Sequence, residues 1–118
     1  MIAIISVIIA GVANALMDTI ALKGGGILPK SKWWTMEDSW RNKWKNGDPK
    51  QGEAFLGSST VFVFTTDAWH FFQMIMLTAF CIAAVTGFST KLPVLIDLII
   101  LKMTFSMSFE AVWRVLNK

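Results

Sequence analysis

The chain has 118 residues, 54% of them hydrophobic and only 16% charged, with a formal net charge of +3. A soluble domain carries about 25% charged residues. Here the deficit falls in three blocks while most charges gather in one loop, the pattern of a single membrane domain over residues 1–118. The basic residues flank apolar runs instead of forming a face on a soluble fold, so the expected partner is the lipid bilayer, with no nucleic acid.

Met1 to Leu22 holds one charge, Asp18, and has about the 20 residues that a bilayer requires. Ala13-Asn14-Ala15 resembles a signal-peptide cleavage site, but no basic stretch precedes the apolar run. The expectation is a transmembrane helix over residues 2–22, ended by Gly24-Gly25-Gly26 and Pro29. Ala3, Ala10, Gly11 and Ala21 fall on one side of it, with Asn14 and Asp18 four apart. A stripe of small residues closing on polar ones lets membrane helices approach closely, so Gly11, Asn14 and Asp18 are read as helix-packing residues. A substrate or ion site at Asp18 is the alternative, because ionisable groups at membrane depth are costly.

Residues 23–67 form the loop, with basic Lys23, Lys30, Lys32, Arg41, Lys43, Lys45 and Lys50 against acidic Glu37, Asp38, Asp48, Glu53 and Asp67. Thr35 to Asn46 reads as one short amphipathic helix. Thr35 stands in cap position with Asp38 three residues on, and Gly47 and Pro49 act as stop signals. Met36, Trp40 and Trp44 recur every four residues and share a face, with Lys43 and Lys45 at the helix C-terminus. Trp33, Trp34, Trp40, Trp44 and Trp69 are therefore expected at the membrane interface, with packing against the spans as the alternative. Ser59 to Thr66 reads as extended from its β-propensity, or as an early turn of the second span.

Ala68 to Thr90 carries no formal charge and is the strongest span. It contains the single cysteine, Cys81, expected as a buried thiol with no disulfide partner in the chain. At its start, Asp67 and His70 are three apart, so their side chains are neighbours on a helix. Such a pair can bind a metal or act as a base with an orienting carboxylate. In the simpler reading, Asp67 or Thr66 caps the helix and His70 sits at the water interface. Two ligands fall short of a catalytic zinc set, so no metal and no cofactor is expected. If the chain is an enzyme, its catalytic residues are Asp67, His70 and Asp18.

Leu92 to Asn117 is long and apolar but contains Asp97, Lys102, Glu110 and Arg114, and is read as a third span over residues 92–116, with a helix lying partly in the interface as the alternative. Lys102, Ser106, Glu110 and Arg114 repeat every four residues, while Asp97, Thr104 and Ser108 occupy another side. A helix polar on two sides cannot face lipid all round, so Asp97, Lys102 and Glu110 are read as helix-packing residues. This implies a homo-oligomer or a complex with other membrane proteins. The fold class is accordingly an all-α integral membrane protein of three transmembrane helices plus a short interfacial helix. Three spans put the loop and the C-terminus on one side, with the loop cations joined by Arg114 and Lys118 against Lys91 on the other. The positive-inside rule makes the loop and C-terminus cytoplasmic and the N-terminus external.

The strings Ser39-Trp40-Arg41-Asn42-Lys43-Trp44-Lys45-Asn46-Gly47-Asp48-Pro49, Gly57-Ser58-Ser59-Thr60 and Phe62-Val63-Phe64-Thr65-Thr66-Asp67-Ala68-Trp69-His70-Phe71-Phe72 resemble a group of small membrane proteins of Bacteroidetes-type bacteria and their phages. The likeness runs over residues 11–80, includes Ala15-Leu16-Met17-Asp18, and brings no activity with it. It implies a bacterial inner membrane or a phage internal membrane. Three functions follow as expectations. The first is a non-enzymatic structural or interaction subunit of a membrane complex or lipid-containing phage particle. The second is a small membrane-embedded enzyme, with or without a metal, acting on lipid or peptide through Asp67 and His70. The third is a holin-like pore. No nucleophile elbow, phosphate-binding loop or dinucleotide fingerprint occurs.

Overall fold

The computed structural model describes all 118 residues. The chain is all-helical, with α1 (Ile2–Leu22), α2 (Met36–Ser39), α3 (Ala68–Thr86) and α4 (Val94–Leu116), and short 3₁₀ turns between α2 and α3. The molecule is a slab of 55 × 35 × 18 Å.

Helix α1 lies in the middle and packs against both α3 and α4. Ser6 and Ile9 of α1 line a groove with Thr78, Ala79 and Ile82 of α3. Gly11 meets Ser108, and Thr19 meets Asn117 just beyond α4, so α4 runs parallel to α1. The short turn that joins the end of α3 to the start of α4 makes α3 antiparallel to α1. The loop and the C-terminus therefore share one end of the bundle.

What is buried is mostly small, though Val7, Met17 and Ile20 of α1 are buried too. The buried residues of α1 include Ala3, Ser6, Ala10, Gly11, Ala13 and Ala15. What is exposed is large: Ile2, Ile5, Ile8 and Ile9 on α1, Leu77 and Val85 on α3, and Leu98, Ile99, Met103 and Met107 on α4. Helices α1 and α3 are each long and apolar enough to cross a membrane. Helix α4 has the length but carries Asp97, Lys102, Glu110 and Arg114.

The ends of the helices have local causes. At the loop end, Gly25 N donates to Thr19 O and Ile27 N to Leu116 O, so the turn after α1 also closes α4. Gly26 adopts φ 52, and a Cβ there would sit 2.5 Å from Leu116 O. Helix α3 stops at Thr86, short of the expected Thr90, because Gly87 turns to φ 66. The turn to α4 is held by Asp97, which accepts from Thr90 N at 3.1 Å and Thr90 Oγ1 at 2.6 Å. Helix α4 starts at Val94 after extended Pro93.

Three expectations are corrected. The stretch from Thr35 to Asn46 is not one amphipathic helix: α2 ends at Ser39, a 3₁₀ turn covers Trp40–Lys43, and Trp44 is extended at φ −107, ψ 144. Trp44 instead pairs with Glu53 in an isolated antiparallel bridge, so it leaves the face of Met36 and Trp40. The Thr35 side chain makes no capping hydrogen bond. Ser59 to Thr66 is not extended but a run of turns ending in the 3₁₀ segment Val63–Thr65. Cys81 is exposed, on the outer side of α3.

The close approach of α1 and α4 rests on Gly11. A Cβ there would lie 2.0 Å from Ser108 Oγ and 2.7 Å from the backbone oxygen of Phe105. Gly11→Ala should therefore destabilise the fold by about 1–3 kcal/mol, the usual cost of overpacking. Ile8→Ala, on the exposed face, should cost much less. Unfolding in mixed micelles by denaturing detergent measures both, and equal stability of the two variants would contradict this packing.

Candidate functional site

The chemistry-bearing side chains collect where the loop meets the first turn of α3. Asp67 is extended, at φ −156 and ψ 160, the backbone setting of an N-cap. Its Oδ1 accepts from His70 N at 2.9 Å, and its Oδ2 lies 2.7 Å from His70 Nδ1. A carboxylate oxygen accepts, so the ring nitrogen facing it carries the proton. Thr66 Oγ1, which donates to Val63 O at 2.7 Å, lies 3.3 Å from the same Oδ2. Asp67 is 2% exposed, whereas the His70 side chain keeps 27% of its surface in the open. Nε2 of His70 has no partner in the chain, and Trp69 meets the imidazole edge-on at 5.2 Å. One carboxylate thus both caps the helix and orients the ring.

The loop is fastened to this corner by side-chain amides. Asn42 Nδ2 donates to Lys32 O at 2.7 Å and to Thr66 O at 2.8 Å. Ala68 N donates to Trp33 O at 2.8 Å, and Trp33 Nε1 to Thr65 O at 3.3 Å. The rings of Trp33 and Trp34 rest on Phe71 and Phe72, with centroids 5.7 and 5.9 Å apart. These two tryptophans pack against α3, whereas Trp40 remains exposed beneath the Arg41 guanidinium.

The other residues singled out from the sequence do not join this corner. Asp18 and Asn14 are half-buried on α1, and neither makes a hydrogen bond to Asp67 or His70. No group of three or more His, Cys, Asp or Glu side chains stands close enough to hold a metal ion. Asp97 closes the α3–α4 turn. Glu110 pairs with Arg114 at 2.6 Å, and Lys102 donates to Ser106 at 2.9 Å, all along α4. No family model, curated protein or solved structure matches the chain.

Sequence reasoning passed over Asn42, Ser58 and Glu53, whose partners are distant backbone groups that no periodicity announces. Ser58, fully buried, donates to Lys43 O at 2.7 Å. Glu53 accepts from the Ser59 hydroxyl, from Gly57 N at 2.9 Å and from Ser59 N at 3.1 Å. The Ser59 hydroxyl first, then the Gly57 and Ser59 amides, hold this carboxyl below its ordinary value. A lowered folded-state value stabilises the turn at neutral pH, and that contribution fades as pH falls through the carboxylate range. The Gly57 and Ser59 amide resonances should therefore stay in place down to mildly acidic pH and move together below it. Glu53→Gln should remove the transition, and an unchanged titration in that variant would rule out this cause.

Asp67 yields a sharper test. Asn keeps an oxygen for the His70 amide, so Asp67→Asn should leave stability nearly unchanged, while Asp67→Ala should cost about 1 kcal/mol, the usual loss of a cap. Detergent-unfolding midpoints of the two variants check this, and equal losses would show that capping is not what Asp67 contributes.

Proposed function

We propose that the chain is a three-span membrane protein acting as a non-enzymatic interaction subunit, with a second copy of itself packed on the polar stripe of α4. One observation carries this reading: the fold buries mainly small side chains, with Val7, Met17 and Ile20 beside them, and leaves many isoleucine, leucine, valine and methionine side chains exposed along all three long helices. Leaving one such large side chain in water instead of burying it costs about 1.5–3 kcal/mol. In lipid that cost vanishes, and small residues let helices associate closely. The α3 surface supports the same reading, because only 11% of its most apolar stretch is buried inside the chain.

The two ends of the slab differ. Trp33 and Trp34 pack on the first turn of α3, Trp69 lies in that turn, and Trp113 lies in the last turns of α4, so the indoles sit at the loop end. The loop cations, Arg114 and Lys118 lie there too, with Lys91 at the opposite end. An aromatic belt and an excess of cations on one side support a cytoplasmic loop and C-terminus. The stripe on α4 supports assembly. Lys102 is exposed on α4 among exposed aliphatics, and a charge at membrane depth faces protein. In a parallel pair, the Glu110 of one copy stands one turn from the Arg114 of the other, so the stripe complements itself. The host membrane, a bacterial inner membrane or a phage internal membrane, rests on the sequence resemblance.

A second reading, a small membrane-embedded enzyme, is favoured by the 2.7 Å contact that orients His70. No hydroxyl or thiol stands within hydrogen-bond distance of its Nε2, and no metal-ligating group surrounds it. The dyad therefore lacks a nucleophile of its own.

Single cysteines in a Cys81→Ala background test the proposal. In intact cells, a cysteine at Lys91 should react with an impermeant reagent and one at Lys50 should be protected. Ser106→Cys should form a disulfide-linked dimer under mild oxidation, and Ile8→Cys should not. Labelling at position 50 would reverse the orientation, and a monomeric Ser106→Cys protein would remove the α4 interface.

A further inference from the structure

The loop forms a half-open polar hollow of about 610 Å³, with Lys32, Asp38, Arg41 and Asn46 exposed on its rim, that the membrane reading does not require. Its lining includes Lys32, Asp38, Arg41, Asn42, Trp44 and Asn46. The volume falls among those of small-molecule sites, about 300–1,000 Å³. Hydrogen bonds set its walls. Asn42 ties Lys32 O to Thr66 O. Lys45 N donates to Gly52 O and Ala54 N to Lys43 O, both at 3.0 Å. Asn46, at φ 51, donates to Gln51 Oε1 at 2.9 Å. The Arg41 stem packs against Gly47, whose added Cβ would stand 3.5 Å from Arg41 Cβ.

The groups that line this hollow are uncommitted. The ion pairs of the chain are Asp67–His70 and Glu110–Arg114, so Lys32, Arg41 and Asp38 have no charged partner. The amide hydrogens of Asn42 are engaged on the backbone, which leaves its Oδ1 as an acceptor, and the Oδ1 of Asn46 is likewise open. The hollow therefore offers two cations beside three sources of acceptor oxygen. A simple anion meets Asp38, and a simple cation meets Lys32 and Arg41. The complement is a zwitterion: a phosphate, which guanidinium binds in bidentate fashion, joined closely to an ammonium group.

We propose that this hollow binds a phosphoethanolamine group. Arg41 and Lys32 hold its phosphate, and Asp38 with the Asn42 and Asn46 side-chain oxygens holds its ammonium. The group can belong to a lipid headgroup or to a soluble molecule, and only the lipid source rests on the membrane reading. Trp44 in the lining and Trp40 stacked with Arg41 suit headgroup depth.

The test uses the full chain in maltoside micelles and follows the side-chain amide resonances of Asn42 and Asn46. The probes are O-phosphoethanolamine, dihexanoyl-phosphatidylethanolamine, dihexanoyl-phosphatidylglycerol and inorganic phosphate. Both ethanolamine probes should shift these resonances saturably, and more tightly than the other two. Arg41→Gln should weaken them at least tenfold with the remaining spectrum unchanged. Asp38→Asn should erase the preference for phosphoethanolamine over inorganic phosphate. A lipid source gives at least tenfold tighter binding of the short-chain lipid than of its free headgroup, and a soluble source gives equal binding. Absence of saturation with both ethanolamine probes, unchanged binding in Arg41→Gln, or an equal response to inorganic phosphate in the wild type would overturn the proposal. The soluble probe binds in the loop whether or not the helices span, so this result is independent of the cysteine labelling.

Discussion

The structure depends on how little side chain α1 places between its neighbours. Gly11 brings the α1 backbone against Ser108 and the Phe105 carbonyl, with no room for a methyl group. Further along, fully buried Thr19 donates to Ala15 O at 2.8 Å and accepts from Asn117 Nδ2 at 2.9 Å. Asn117 Nδ2 also donates to Trp113 O at 3.0 Å, so one amide closes the end of α4 and clasps it to α1. The outer faces of these helices meanwhile carry large apolar side chains. Where lipid removes the hydrophobic drive between helices, close packing and a few hydrogen bonds hold them together.

The loop follows from the same geometry. Because α1 and α3 are antiparallel neighbours, the chain leaving α1 must return to the start of α3 at the same end. It does so through tertiary hydrogen bonds and not through a regular element. Asn42 bridges two segments of the loop, and Trp33 donates and accepts against the residues that open α3. Asp67 then starts the helix while holding His70.

The three long helices were legible because apolar runs and their stop signals coincide, the triple glycine after α1 and Pro93 before α4. Gly87, which ends α3 at Thr86 and not at the expected Thr90, was passed over. The Asp67 cap was legible from its place just before an apolar run. The loop was not. Met36, Trp40 and Trp44 have helical spacing, but a continuous helix needs Gly47 N on Lys43 O. Instead Lys43 O accepts from Ala54 N and Ser58 Oγ, and Gly47 N turns to Trp44 O. In the same way Glu53 draws in the Gly57 and Ser59 amides, which removes them from any strand. These partners lie far apart in sequence, so local pattern carries no trace of them. The exposure of Cys81 was missed for another reason: an apolar run does not distinguish burial in protein from a face turned outward.

The charges of α4 divide by whether the chain answers them. Asp97, 7% exposed, is matched by Thr90 within the turn, so it is a fold residue and not an interface one. Glu110 and Arg114 match each other but stay 50% and 75% exposed, at the end where cations and indoles gather. Lys102 is the telling case. It lies eight residues from the start of α4, about 12 Å along the axis, with the nearer helix end behind it. A lysine facing lipid extends toward the nearer interface to hydrate its ammonium. Lys102 bends the other way, donating to Ser106 one turn toward the loop end and lying 5.8 Å from the Phe105 ring centroid. The ammonium is thus held along the helix by a hydroxyl and an aromatic face, on the same side on which Ser106 and Glu110 follow along the stripe.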